Sequence, residues 1–164
     1  MTRFIVSLLT VFYFIAPTMS FAAPSCYTPE QYRAEQAVRF HTNLMIMGLY
    51  CKTAMKHDTY ATYQEFTRRN QNIIKAAENR LIGYFQQHKT ASGKTAERQL
   101  HTMRTDMANN MSLQAGRAIS AFCQQYAPYY ERAKTMIPND FNRWIERINL
   151  SAPAESSVPL CVAR

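Results

Sequence analysis

The feature that most constrains the fold is the scarcity of helix-breaking residues between Glu30 and Ala127. This stretch contains no proline, and its only glycines are at positions 48, 83, 93 and 116. Proline and glycine are the residues least compatible with a helix interior, so their scarcity over so long a stretch favours long helices. The sequence therefore predicts an all-α fold.

The first predicted helix begins at Thr28, which can cap it, with Pro29 at the first helical position. The residue three positions after the cap is a glutamine, which completes a capping box. Apolar residues then recur at alternating spacings of three and four as far as Met55, which predicts one helical face. Asp58 or Thr59 is predicted to cap the next helix.

Two further long helices and a shorter one follow. Helical apolar spacing predicts the second helix over residues 63–88 and the third over 96–122, with a loop at 90–93 between them. Pro128 is expected to end or kink the third helix. A short aromatic element follows and restarts at Asn139, which can cap it. Short connections make neighbouring helices antiparallel, so the prediction is an up-down-up-down bundle of three long helices plus a shorter fourth.

The chain begins with the pattern of a secretory signal peptide. Arg3 supplies a positive start, residues 4–16 form an apolar run, and small residues precede a predicted cut after residue 22. The predicted organisation is a cleaved signal peptide (1–22), a helical bundle domain (23–150) and a flexible C-terminal tail (151–164). Removing 22 of the 164 residues, including Arg3, leaves 142 residues and a net charge of +7 rather than +8.

The apolar run of the signal is too short to span a membrane as an ordinary helix, which needs about 20 residues. No second long apolar stretch follows it. We therefore expect a periplasmic or secreted bacterial protein with no transmembrane segment once the signal is removed.

Four cysteines in an exported chain predict two disulfides, for which three connectivities are possible. In an antiparallel bundle the first and third helices point the same way, so Cys51 and Cys123 reach the same end. Cys26 precedes the first helix and Cys161 follows the last element, which places both at the opposite end. The predicted pairs are Cys51–Cys123 and Cys26–Cys161. Pairing of Cys161 between two chains is the alternative for the second bond.

Histidine and methionine residues suggest a metal or haem carrier. His41 and Met45 stand four residues apart on the first helix, and Met103 and Met107 stand four apart on the third. Thioether and imidazole groups suit copper, and a Met–His pair can hold haem. The competing interpretation is that methionines fill irregular gaps in the core and that His41 is a hydrogen-bonded core histidine. We favour core packing and predict no cofactor, with the carrier as the alternative function.

No pattern indicates catalysis. The carboxylates are scattered, no H-E-x-x-H sequence occurs, and paired cysteines are not nucleophiles. The protein is therefore predicted not to be an enzyme.

Positive charge is concentrated along the second helix and the loop that follows it. The predicted partner-binding residues are Arg68, Arg69, Lys75, Arg80, Lys89, Lys94 and Arg98. Such a patch could bind an acidic protein or an anionic envelope component, whereas nucleic acid is not expected for an exported chain. Ordinary solvated helix faces are the alternative explanation. The predicted function is binding of another macromolecule in the cell envelope, in an accessory or inhibitor (immunity-type) role.

Three short segments, Leu44–Cys51, Tyr63–Phe66 and Ala121–Cys123, resemble a group of small exported bacterial helical proteins. That group shares a leucine-methionine stretch ending in cysteine on the first helix and a second cysteine late in the third. The resemblance covers roughly residues 39–126. It implies a helical fold and the Cys51–Cys123 pair, and it implies no activity.

Overall fold

The computed structural model describes residues 26–55, 58–88 and 93–161. Within these ranges the chain is helical and forms no β-strand, which confirms the predicted all-α class. The helices are α1 (Pro29–Tyr50), α2 (Lys52–Met55), α3 (Thr59–Gln87), α4 (Ala96–Arg117), α5 (Ile119–Thr135) and α6 (Pro138–Glu146). The predicted signal peptide and most of the predicted loop at 90–93 lie outside the described residues.

The first two long helices begin where their capping signals predict. The Thr28 side chain accepts a hydrogen bond from the Gln31 backbone N–H at 3.3 Å, and the Gln31 side chain accepts one from the Thr28 N–H at 2.8 Å. At α3, Asp58 Oδ1 accepts a hydrogen bond from the Ala61 N–H at 3.2 Å. These side chains satisfy backbone donors that have no partner inside the helix.

The prediction that the first helix continues to Met55 is wrong. Helix α1 ends at Tyr50, and Cys51 separates it from the four-residue α2. The Thr59 hydroxyl donates a 2.7 Å hydrogen bond to the Gly48 carbonyl, one of the last carbonyls of α1. A side chain of α3 therefore satisfies a carbonyl at the end of α1, and the chain turns at Cys51.

The prediction of one uninterrupted third helix is also wrong. Ala118 has non-helical dihedral angles, φ −156° and ψ 77°, and divides this segment into α4 and α5. Pro128, predicted to end or kink a helix, lies inside α5. The shorter fourth element also starts differently, because Asn139 lies inside α6 and Asp140 Oδ2 accepts a 3.4 Å bond from the Ile137 N–H.

Helix α1 makes its most extensive contacts with α3, and the two run antiparallel. Near the end of α1, a methyl group on Gly48 would approach the Tyr60 Cα at the start of α3 to 3.1 Å. Just before the start of α1, the Tyr27 ring lies 4.7 Å from the ring of Tyr84, near the end of α3. Both helices also contact α4, α5 and α6. In the part of the chain that the structure describes, no helix combines the length and the apolar character needed to span a membrane.

Residues 151–161, the C-terminal segment, contact the start of α1. The Tyr27 N–H donates to the Pro159 carbonyl and the Cys161 N–H donates to the Tyr27 carbonyl, each at 2.8 Å. The Tyr32 hydroxyl donates to the Ala154 carbonyl at 3.1 Å, and the Gln36 side chain donates to the Glu155 carbonyl at 2.9 Å. The sequence did not predict these contacts.

Candidate functional site

Both predicted disulfides are present. Cys26 is bonded to Cys161, with Cα atoms 5.1 Å apart, and Cys51 is bonded to Cys123, with Cα atoms 5.5 Å apart. The first bond attaches the C-terminal segment to the residues preceding α1, within one chain. The second joins the end of α1 to the beginning of α5. The two bonds therefore hold opposite ends of α1.

Two residues of the predicted basic set already have partners. The exposed Arg68 pairs with Glu65, with 2.8 Å between the guanidinium nitrogen and the carboxylate oxygen. The less exposed Arg69 donates to the carbonyls of Ala133 and Lys134 at 3.1 and 2.8 Å, which ties α3 to the end of α5. Arg69 thus contributes to the packing of two helices rather than to an open surface.

The other predicted basic residues are divided among different places. Lys75 and Arg98 are exposed, and Lys89 lies outside the described residues. Arg80 lines a cavity of about 350 Å³ between α1, α3 and α6, whereas Lys94 lines a separate cavity beside α4. Arg80 and Lys94 thus line two different cavities.

His41 is a hydrogen-bonded core histidine, as the favoured interpretation predicts. Its Nε2 lies 2.9 Å from Thr67 Oγ1, and the Thr67 hydroxyl donates its proton to the Tyr63 carbonyl at 2.7 Å. Thr67 therefore accepts from His41, so that Nε2 carries the proton and the buried Nδ1 has no hydrogen-bond partner. Burial, with a smaller contribution from the positive charge of Arg104, lowers the pKa of His41 to about 4.

The methionines named as alternative metal ligands contribute to the core. Met103 and Met107 are buried in the main apolar cluster, and Met45 packs against it partly buried. His41 uses Nε2 for Thr67, so only Nδ1 has a free lone pair. Among residues 26–55, 58–88 and 93–161, no three His, Cys, Asp or Glu side chains are grouped so that they could hold a metal ion.

A fully buried carboxylate joins α1 to the C-terminal segment. Glu35 Oε1 accepts from the Arg39 guanidinium at 2.9 Å and from the Ser157 N–H at 2.8 Å, and Oε2 accepts from the Ser157 hydroxyl at 2.5 Å. The Tyr27 hydroxyl lies 3.5 Å from the same serine oxygen, and burial is the main cause that raises the pKa of Tyr27. A buried charge requires such compensation, so this cluster holds Ser157 in a defined position.

Next to this cluster lies a cavity of about 440 Å³, which we call the α4 groove. One wall is formed by α4 and another by Glu155, Ser157 and Val158 of the C-terminal segment, and Arg39 of α1 also lines it. Its apolar lining comes from Phe85, Met103, Met107 and Val158. The volume and this mixture of apolar and polar lining are typical of ligand-binding clefts.

The polar part of the groove follows one ridge of α4. Thr102, Asp106 and Asn110 line it at four-residue intervals, next to the methionines one position further along the chain. Lys94 lies at the end of the groove near the beginning of α4. This spacing could be read from the sequence as a polar ridge beside an apolar one. The part of the lining that comes from the C-terminal segment could not be read from the sequence, because its residues show no periodic pattern.

No protein-family model, curated protein or solved structure matches the chain.

Proposed function

We propose that this chain is an exported, non-catalytic helical protein that binds another macromolecule of the bacterial envelope, in an accessory or inhibitor role. We further propose that its long helices alternate in direction and that the partner binds at the α4 groove. The observation that carries the proposal is the groove itself, an open cleft with an apolar lining and a charged, polar rim.

Two other features support this function. A pair of disulfides suits a protein that works in an oxidising compartment. The groove also contains opposite charges on its rim, Lys94 and Asp106, which favours a protein partner over a uniformly anionic polymer.

Site-directed photo-crosslinking tests the proposal. A benzophenone amino acid replaces Asn110, an exposed residue of the groove, and in a second protein it replaces Arg132, which is exposed on α5 and does not line the groove. Both proteins are produced with the signal segment in a bacterial host that encodes this chain, and the envelope is irradiated. We expect a discrete covalent adduct with one envelope protein from position 110 and none from position 132. Identical adduct patterns from both positions, or none from either, would contradict the proposal.

A further inference from the structure

We infer that the α4 groove binds an extended peptide segment of about five residues, with an apolar side chain near its centre and opposite charges at its two ends. This inference rests on the proposed function, because it names the part of the macromolecular partner that occupies the groove. It follows from the length, the lining and the charges of the groove.

The length of the groove matches a short extended peptide. The two charges assigned to its ends, Lys94 and Asp106, stand twelve positions apart, which corresponds to about 18 Å at 1.5 Å per helical residue. An extended chain covers that distance in about five residues at 3.3 Å each.

The lining specifies an apolar central side chain. Met103 lies between Lys94 and Asp106 along the chain, Met107 lies next to Asp106, and the two methionines are 7% and 5% exposed. Phe85 and Val158 contribute to the same cavity. Unbranched thioether side chains adjust to ligands of different shape, so the floor can accept a leucine, a methionine or an aromatic ring. Removing such a side chain from water is the main source of affinity expected here.

The polar ridge favours a peptide over an acyl chain. The Thr102 hydroxyl donates to the Arg98 carbonyl and keeps its acceptor positions, and Gln99 donates to the Lys94 carbonyl through Nε2 and keeps Oε1. Asn110 lies exposed at the far end with both amide functions available to a ligand. Peptide N–H groups would satisfy these acceptors, whereas an acyl chain would cover them without forming hydrogen bonds.

The charges of the groove specify the two ends of the peptide. Arg39 is already engaged by the buried Glu35 at 2.9 Å and lies 3.8 Å from Glu155. Lys94 and Asp106 are exposed, and no ion pair in the described part of the chain engages either of them. An acidic residue of the peptide therefore fits beside Lys94 and a basic residue beside Asp106.

A specificity exchange tests the inference. Three acetylated and amidated fluorescent pentapeptides share a Ser-Leu-Ser centre and carry Lys and Glu, two Lys, or two Glu at their ends. Fluorescence anisotropy measures their binding to the disulfide-bonded protein and to its Lys94→Glu and Asp106→Lys variants. Both substitutions are at exposed positions, so the variants should fold, and circular dichroism verifies this. Lys75→Glu, on an exposed face of α3 outside the groove, is the matched charge control.

We expect the native protein and the Lys75→Glu control to prefer the peptide with opposite charges by about fivefold, the effect of one partly exposed ion pair. Lys94→Glu should prefer the peptide with two lysines, and Asp106→Lys the peptide with two glutamates. A fourth peptide, with opposite charges at its ends and glycine in place of leucine, should bind every protein at least tenfold more weakly than its leucine counterpart. The inference would be overturned if the order of the peptide affinities were the same in all variants, or if every dissociation constant exceeded about 1 mM. Oleate, a fatty acid, is tested as a competitor of the peptides. Competition by oleate that is equal in all variants would also overturn the inference. A crosslinked partner at position 110 without any peptide preference would keep the proposed function and reject the peptide segment, whereas failure of both experiments rejects both.

Discussion

Protonation of His41 is expected to destabilise the fold at mildly acidic pH. The folded protein holds this imidazole neutral, with Nε2 bonded to Thr67 and a pKa lowered to about 4, mainly by burial. The unfolded chain exposes the same group, whose usual pKa is near 6.5. Between these two values the unfolded state binds one more proton than the folded state, so the free energy of unfolding falls as the pH is lowered.

The magnitude follows from the difference between the two pKa values. Each pKa unit corresponds to about 1.4 kcal/mol, so the His41 contribution amounts to about 3 kcal/mol at pH 4 and roughly half of that at pH 5.5. Above pH 7 the contribution vanishes, because His41 is neutral in both states. Below pH 4 it stops growing, because both states are then protonated.

A comparison with His41→Gln isolates this contribution from that of the carboxylates. The glutamine amide can donate to Thr67 but does not titrate, so the remaining titrating groups contribute similarly to both proteins. Urea unfolding with the disulfides intact measures the difference in the free energy of unfolding between the variant and the native protein. From pH 7 to pH 4 this difference should shift by about 3 kcal/mol in favour of the variant. A difference that stays constant with pH, or an imidazole NMR titration near 6.5 in the folded native protein, would refute the reasoning.

Two further substitutions test the packing described above. Gly48→Ala should lower the free energy of unfolding by about 1–3 kcal/mol, because its methyl group would meet the α3 backbone at 3.1 and 3.3 Å, whereas Gly83→Ala, with no atom within 4 Å, should raise it by up to about 1 kcal/mol. Equal effects in thermal unfolding would argue against a close contact at position 48. Glu35→Gln should cost about 3 kcal/mol in urea unfolding, since it leaves Arg39 without its buried carboxylate, while Glu155→Gln at a 78% exposed side chain should cost less than about 1 kcal/mol. Similar losses in these two variants would show that the buried cluster contributes little.

The helical class and the first helix starts could be predicted because their signals are local. Capping side chains and the scarcity of breakers act within one or two turns, and the structure uses them at Thr28 and Asp58. Pro128 gave a misleading signal. A proline in a helix interior costs about 3 kcal/mol, but in α5 it lies between Phe122 and Tyr130, which are 3% and 1% exposed. Burying side chains of this size contributes about 1.5–3 kcal/mol each, so packing on both sides outweighs the local cost.

The disulfides and the predicted basic residues differ in how well the sequence indicated their surroundings in the structure. Both cysteine pairs predicted from the expected helix directions are present, although Cys123 lies near the beginning of α5 and not late in one third helix. The basic residues are close together in the sequence, but Arg68 and Arg69 are about 100° apart around α3. One of them therefore pairs with Glu65 in solvent, and the other donates to carbonyls of α5. Residues adjacent in the sequence therefore have different surroundings in the structure.

The α4 groove could not be predicted for a different reason. Its two walls belong to parts of the chain far apart in sequence, and the C-terminal segment is held by Cys26, Tyr27, Tyr32, Glu35 and Gln36, in or just before α1. None of these anchoring bonds is made to α4. A ligand in the groove would therefore not have to break any of these anchoring bonds. The proposed peptide would then enter the groove without unfolding any helix, so that little of its binding energy would be spent on rearranging the protein.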